Sequence, residues 1–317
     1  MFGKLKGHNP ILFAYHWSTF NPRFNPDIPA LSRFYPLLEN VTVALHYDPF
    51  GGLKLSEEHP NQDDDVAVDF PLLFANEYPM TKAFSVGIGI ERVFPLQTPS
   101  LKAFESSEFF VFYRTRREPS LYGSTQYRKA PLNKTVIEGL PKSSIGYGIP
   151  KEDWVRHFLS SKFCLVIRGD TPHTHALLHA VRAGCIPVII SDAYQDYAGP
   201  FKSTLSIEDF AFVLKEEVFL RDPLQQLLSL QELPMDQVQA KLANLGIVQS
   251  VVFPDHPDSK FVPALLKEAQ AAQTLVVPYA HARRQELRDF GVLDESVVIS
   301  GQTVSYRLPE SFLMEAT

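Results

Sequence analysis

The sequence predicts an α/β protein built on a parallel sheet, and two stretches carry that prediction. In the first, FCLVIRGDTPHTHALLHAVRAGCIPVIISD over residues 163–192, two short apolar runs flank a helical pattern. Runs of that kind are the signature of strands buried on both faces. A strand–turn–helix–strand unit makes the two strands parallel with a right-handed crossover. The second, FFVFY at residues 109–113, is another buried-strand run, followed directly by the basic Arg114-Thr115-Arg116-Arg117. Ligands in open parallel sheets bind outside the carboxyl ends of strands, and Arg168 to Thr171 occupy such an end.

Within the first stretch, Thr171 reads as a helix N-cap and Pro172 as the first helical residue. Leu177, Leu178 and Val181 then face the sheet, and Gly184 closes the helix. N–H groups at such a helix start can receive an anion.

The other elements follow in order. ILFAY at 11–15, VTVALHY at 41–47 and VAVDF at 66–70 read as strands, and the proline-rich 22–36 as loop. The acidic Asp63-Asp64-Asp65 lies in a polar stretch and reads as a solvated loop, with a divalent-metal site the less favoured alternative. SIGYGI at 144–149 is a further short strand. Trp154, Val155 and Phe158 mark an amphipathic helix over 151–159. Residues 206–215 fit strand or helix. Helices are expected at 223–230, 236–245 and 259–273, the last with Phe261, Leu265 and Leu266 on one face. The tail 291–312 alternates like strand.

Composition narrows the function. The chain has 317 residues, 45% hydrophobic and 21% charged, enough for two ordinary domains. A net charge of −6 without a basic block argues against nucleic acid as a partner. Two cysteines, Cys164 and Cys185, rule out a disulfide scaffold and a cysteine zinc ribbon. They begin two adjacent strands, so they are either a bridge or two buried thiols. No run approaches a membrane span, and no signal peptide is visible.

Two patterns invite other chemistries. His175 and His179 stand four apart on one helix face, the spacing of zinc proteases, but Ala176 occupies the place of the catalytic glutamate. Metal binding is therefore less favoured than satisfied histidines or a polar role beside a ligand. Asn40-Val41-Thr42 and Asn133-Lys134-Thr135 are glycosylation acceptors if the chain enters the secretory pathway.

The stretch SSKFCLVIRGDTPHTHALLHAVRAGCIPVIISD resembles the core of exostosin-like glycosyltransferases. Upstream, FFVFYRTR and GSTQYR are similar to that family's aromatic strand, basic turn and Gly…Arg segment. Downstream, FLRDPLQQLLSLQELPMDQVQAKLANL and DHPDSKFVPALL are similar to its closing helices. The likeness runs from about 109 to 272 and is faint before that. It implies a GT-B-like α/β fold of two Rossmann-like domains facing a cleft, with the N-terminal one either whole or incomplete. The corresponding domains are 1–100 on the acceptor side, 101–273 binding the donor, and a tail, 274–317, without a role.

The resemblance also implies inverting transfer of a sugar from a nucleotide-diphosphate sugar, a UDP-sugar foremost, to a saccharide or glycoprotein acceptor. No obligatory metal and no cofactor are implied. Location is in the Golgi or secretory pathway, with membrane attachment only through a segment not seen in this chain and a soluble, cytosolic version left open. A leaving diphosphate needs positive charge and aligned N–H donors. Arg128, Arg168, Gly169, Thr171, His173, Thr174, His175 and His179 are the donor-binding candidates, with Arg114 and Arg116 behind them. Asp170 is the candidate catalytic base, ahead of Asp48 and Asp192. The family's helix carries Ser-x-Arg and, one turn before Gly-Cys-Ile-Pro, an acidic residue; here those places hold His173, His175 and His179. The alternative reading is a non-catalytic saccharide-binding relative that has lost donor binding.

Overall fold

The computed structural model describes residues 11–13, 42–45, 83–85, 95–115, 125–168, 174–271, 298–299 and 302–303. At its centre are five strands: β4 (Phe109–Thr115), β5 (Ser144–Tyr147), β6 (Ser161–Ile167), β7 (Ile186–Ile190) and β8 (Phe212–Val213). All pair in parallel, in the order β5-β4-β6-β7-β8. Renumbered from its own first strand, that is 2-1-3-4-5, the flavodoxin-like doubly wound order.

The two faces of the sheet follow from alternation. Val111, Phe163, Leu165, Ile167, Ile186, Val188 and Ile190 share one face, as the register Phe163↔Ile186, Leu165↔Val188 and Ile167↔Ile190 requires. Phe112 and Cys164 point the other way. Both faces are covered, so the strands are apolar on both sides, and that is why the sequence shows solid runs there rather than alternation.

The second face is covered by α4 (Lys151–Leu159) and α5 (Ala176–Ala183). Phe158 of α4 lies against Phe112 at 4.3 Å between ring centres. The first face is covered by α3 (Lys134–Gly139), α8 (Glu216–Arg221), α9 (Pro223–Leu228) and α10 (Met235–Val252) through Val136, Phe219, Leu227, Val238 and Leu242. Right-handed crossovers produce this division. The chain moves one way from β4 to β5 over α3, and the other way from β5 to β6 and β6 to β7 over α4 and α5.

The amino-terminal side of the sheet is tied down by α10. Gln249 Nε2 donates to the carbonyls of Gln97 and Val181, each at 2.7 Å. Arg182, buried at the end of α5, makes a two-pronged bond to Asp255 at 2.7 and 3.2 Å. Gly184 caps α5 with φ +68°, as the sequence predicts, and its amide donates to the carbonyls of Ala180 and Val181. A Cβ there would also lie 3.1 Å from the Gln97 carbonyl oxygen, so the turn requires glycine twice over.

Cys164 and Cys185 are bridged, with Cα atoms 5.9 Å apart, and both are buried against α5. The open alternative at these two positions thus resolves to a disulfide.

Three expectations need correction. α5 starts at Ala176, not Pro172, and Thr174 and His175 precede it as non-helical residues. Residues 206–215 contain both elements, α7 (Ile207–Phe210) and β8. In the helix at 261–271, Leu265 is buried but Leu266 is 58% exposed, so the predicted apolar face is narrower than drawn.

Elsewhere β1 (Ile11–Phe13), β2 (Thr42–Leu45) and β3 (Ala83–Ser85) form a parallel three-stranded sheet. The first two fall where strands are expected, and β3 is not foreseen. In the tail, β9 (Val298–Ile299) and β10 (Gln302–Thr303) pair antiparallel, in keeping with the alternation there. The expected strand at 66–70 and the acidic run at 63–65 lie outside the described residues.

Candidate functional site

In a 2-1-3-4-5 sheet the connections leave in opposite directions at one place, and ligands bind at the carboxyl edge there. Here that place lies between β4 and β6. The residues at this edge come from the ends of β4, β6, β7 and β8 and from α2 (Thr125–Lys129), which follows β4.

They form a continuous strap. Tyr113 Oη donates to the Arg128 carbonyl at 3.1 Å. Arg128 Nε donates to the Arg168 carbonyl at 3.4 Å, and the Arg168 amide donates to the Ile190 carbonyl at 3.1 Å. The Arg168 guanidinium lies over the Tyr127 ring, 5.6 Å from its centre, within reach of a cation–π attraction. Its Nη1 donates to Glu216 Oε2 at 3.3 Å. Glu216 Oε1 accepts from the Asp192 amide at 3.0 Å, and Asp192 Oδ1 accepts from the Glu216 amide at 3.2 Å. Burial pushes the Tyr113 hydroxyl up to about 12, so it stays a donor at any physiological pH.

Arg168 is 8% exposed and pairs with a carboxylate nearly as buried, so its charge is balanced inside the protein. Its Nε has no partner among the described residues. A guanidinium has five donors, and one carboxylate does not use them all.

The histidines occupy different environments. His175 is exposed and is the N-cap of α5, without a side-chain cap bond; Thr174 Oγ1 accepts from the Ala176 amide at 3.4 Å. The Thr174 carbonyl accepts from Tyr194 Oη at 3.2 Å. Tyr194 is fully buried, which raises its hydroxyl pKa and fixes it as the donor. His179 packs edge-on to Trp154 at 5.5 Å and to Phe158 at 6.2 Å between ring centres. Desolvation first, and His175 second, depress its pKa to about 4.

This depression has a measurable consequence. The unfolded chain protonates His179 near pH 6.5 and the folded one only near 4, so between these values the unfolded state binds more protons. Stability contributed by the neutral ring is complete above pH 6.5 and is lost as pH falls toward 4, by on the order of 3 kcal/mol. His179→Phe keeps the aromatic packing and should flatten that part of the pH–stability curve. An unchanged slope between pH 6.5 and 4 would remove His179 as its source.

Of the predicted donor-binding residues, the structure joins Arg128 to Arg168, while Thr174 bonds to Tyr194 and His179 packs against Trp154 and Phe158. Gly169, Asp170, Thr171 and His173 lie outside the described residues, as do Asp48 and Arg116. Arg114 turns to β5 instead: Nη1 donates to the Tyr147 carbonyl and Nη2 to Ser144 Oγ, at 3.2 and 2.9 Å. It is a fastener of the sheet edge, and its predicted place behind Arg168 is not the one it takes. Asp192 is engaged with Glu216 and, at 3.9 Å, with Lys215, so it serves the start of α8. Among the described residues, no group of three His, Cys, Asp or Glu side chains is gathered to hold a metal. None of their helices is long and apolar enough to cross a membrane.

Sequence reasoning missed Glu216 and Tyr127. Glu216 follows a strand of only two residues, too short to announce a carboxyl edge. Tyr127 sits in GSTQYR, beside the Arg128 that drew attention, and carried no signal of its own.

The fold and this edge define a doubly wound α/β unit with two arginines, Arg128 and Arg168, at its switch point. Residues 109–228 match the model of the exostosin GT47 domain, which shows over that stretch the resemblance drawn from the residues. The matched segment opens with β4 and closes with α9, so it contains every residue of the strap. Two probable glucuronosyltransferases of rice (Oryza sativa subsp. japonica) are 37% and 36% identical over 98 residues, 30% of this chain. The match spans 22% of the length of each of these relatives. The crystal structure of the GtfA/B complex aligns over 78% of this chain and 54% of that one, at 9% identity and a TM-score of 0.34, a likeness too slight to bear on fold or function.

Proposed function

We propose that this chain is an inverting glycosyltransferase that moves a sugar from a nucleotide-diphosphate sugar, UDP-linked, to a saccharide or glycoprotein acceptor. The observation that carries the reading is the pairing of a GT47 match with two arginines, Arg128 and Arg168, at the switch point of its sheet. Diphosphate departure builds negative charge on a bridging oxygen, and preorganised donors at that spot lower the barrier. Arg128 supplies positive charge, and Arg168, whose own charge Glu216 balances, supplies N–H donors. The amides that open α5 at Ala176 supply N–H groups at a helix start. Asp170, which follows β6 in the sequence, is the general base that takes the acceptor hydroxyl's proton as the oxygen attacks the anomeric carbon.

In this reading the unit over 101–273 holds the donor, and residues 1–100 belong to a second Rossmann-like half on the acceptor side, giving a GT-B arrangement. The chain works in the Golgi or secretory pathway, in polysaccharide or glycoprotein glycan synthesis.

A second reading has one observation in its favour. His179 occupies the place where relatives of this type carry an acidic residue, and it is turned into an aromatic cluster with its ring held neutral. A relative that no longer grips ribose would be a saccharide-binding protein.

Asp170→Asn separates the two. A catalytic Asp170 predicts unchanged UDP affinity and a turnover at least about 100-fold lower, the usual size of a general-base contribution. Full turnover in the variant removes Asp170 from the mechanism. Failure of the wild type to bind any nucleoside diphosphate supports the saccharide-binding reading.

A further inference from the structure

We infer that Asn133 carries an N-linked glycan. Asn133-Lys134-Thr135 is an acceptor triplet, and all three residues are exposed at the start of α3, on the outer surface of that helix. Asn133 is the N-cap: its Oδ1 accepts from the Thr135 amide at 3.0 Å. This Asx-turn fixes the amide plane, with Oδ1 turned toward the helix start and Nδ2 turned away from it. Nδ2 has no partner among the described residues, so the nitrogen that would bear the sugar takes no part in holding the fold. Helix α3 needs only the oxygen, and a glycosylated Nδ2 leaves that amide oxygen as good an acceptor as before.

A second observation places the chain where the modification occurs. Cys164 and Cys185 are bridged in the buried interior, and disulfides of this structural kind form in the oxidising lumen of the secretory pathway. That is the compartment of lipid-linked oligosaccharide donors. Neither argument uses the carboxyl edge of the sheet, so the inference stands apart from the proposed transferase activity.

The step balances simply. Nδ2 attacks the anomeric carbon of an oligosaccharide carried on a polyprenyl diphosphate. The C–N bond forms, the C–O bond to phosphate breaks, the polyprenyl diphosphate leaves, and the amide proton passes to a base of the transferring enzyme. The other triplet, at Asn40, lies outside the described residues.

The test is peptide mapping of the full chain purified from its own cells, with and without peptide N-glycosidase in heavy-oxygen water. The expected result is that the unmodified peptide bearing Asn133 is scarce before treatment and appears afterwards with Asn133 converted to heavy-labelled Asp. In parallel, Thr135→Ser keeps the glycan and Thr135→Ala loses it, while both retain the Asn133 cap and a native melting temperature. Full recovery of unlabelled Asn133 peptide, treated or untreated, overturns the inference. So does an enzyme-sensitive mobility shift that persists in Thr135→Ala and vanishes in Asn40→Gln.

Discussion

Arg168→Ala is expected to destabilise the protein by about 3–5 kcal/mol, because it strands a buried carboxylate. Glu216 is 12% exposed at its side chain, and Arg168 is its cationic partner. Removing the arginine leaves that charge, still tied to the Asp192 amide, with no compensating cation among the described residues. Loss of activity in this variant would therefore not separate a binding role from a folding one. The double variant Arg168→Gln/Glu216→Gln keeps the shapes and removes both charges. It should recover most of the lost stability, with a coupling energy of about 1–3 kcal/mol in the cycle. Additive effects would show that the pair is incidental to the fold. If the double variant melts like wild type but no longer binds donor, Arg168 is a ligand as well as a strut.

The second large effect belongs to the Cys164–Cys185 bridge. It closes a loop with a sequence separation of 21, for which chain-entropy arguments give about 2–4 kcal/mol. The Cys164→Ala/Cys185→Ala variant should melt roughly 5–15 °C below wild type, taking about 2–4 °C per kcal/mol for a domain of this size. The enclosed loop contains the Arg168 turn and α5, so the bridge bounds the segment proposed to hold the donor. Donor affinity should fall less than stability, since the alanines face α5 from below rather than the carboxyl edge. A melting temperature unaffected by the double substitution would mean the bridge constrains nothing the fold needs.

Much of the central unit is legible in the sequence because its strands are buried on both faces. FFVFY, FCLVI and IPVII announce themselves as solid apolar runs, and Gly184 marks a helix end that only a left-handed residue can make. The start of α5 is less legible. Thr171-Pro172 is a strong local signal for a helix start, yet the helix begins at Ala176, with His175 as N-cap and with Tyr194 holding the Thr174 carbonyl. That contact is tertiary, and no local pattern contains it. The site behaves the same way. Arg128 and Arg168 could be picked out as cations near strand ends, but Glu216, which lies 48 residues beyond Arg168, is brought to it only by the order of the strands. Arg114 shows the converse: a cation with the right address is taken up by β5 because Ser144 and the Tyr147 carbonyl are closer partners.

The central claim is that the β4–β6 switch point binds the diphosphate of a nucleotide sugar. Calorimetric titration of uridine diphosphate into the wild-type protein and Arg128→Ala tests it most directly. Arg128 is half-buried and bonds to the Arg168 carbonyl, so the melting temperature of the variant is measured beside the titration and the affinity is read on folded protein. The account predicts saturable binding to the wild type and roughly 10–100-fold weaker binding to the variant, the size of one charge-assisted hydrogen bond. Equal affinity in the two proteins, or no binding to the wild type, would contradict it.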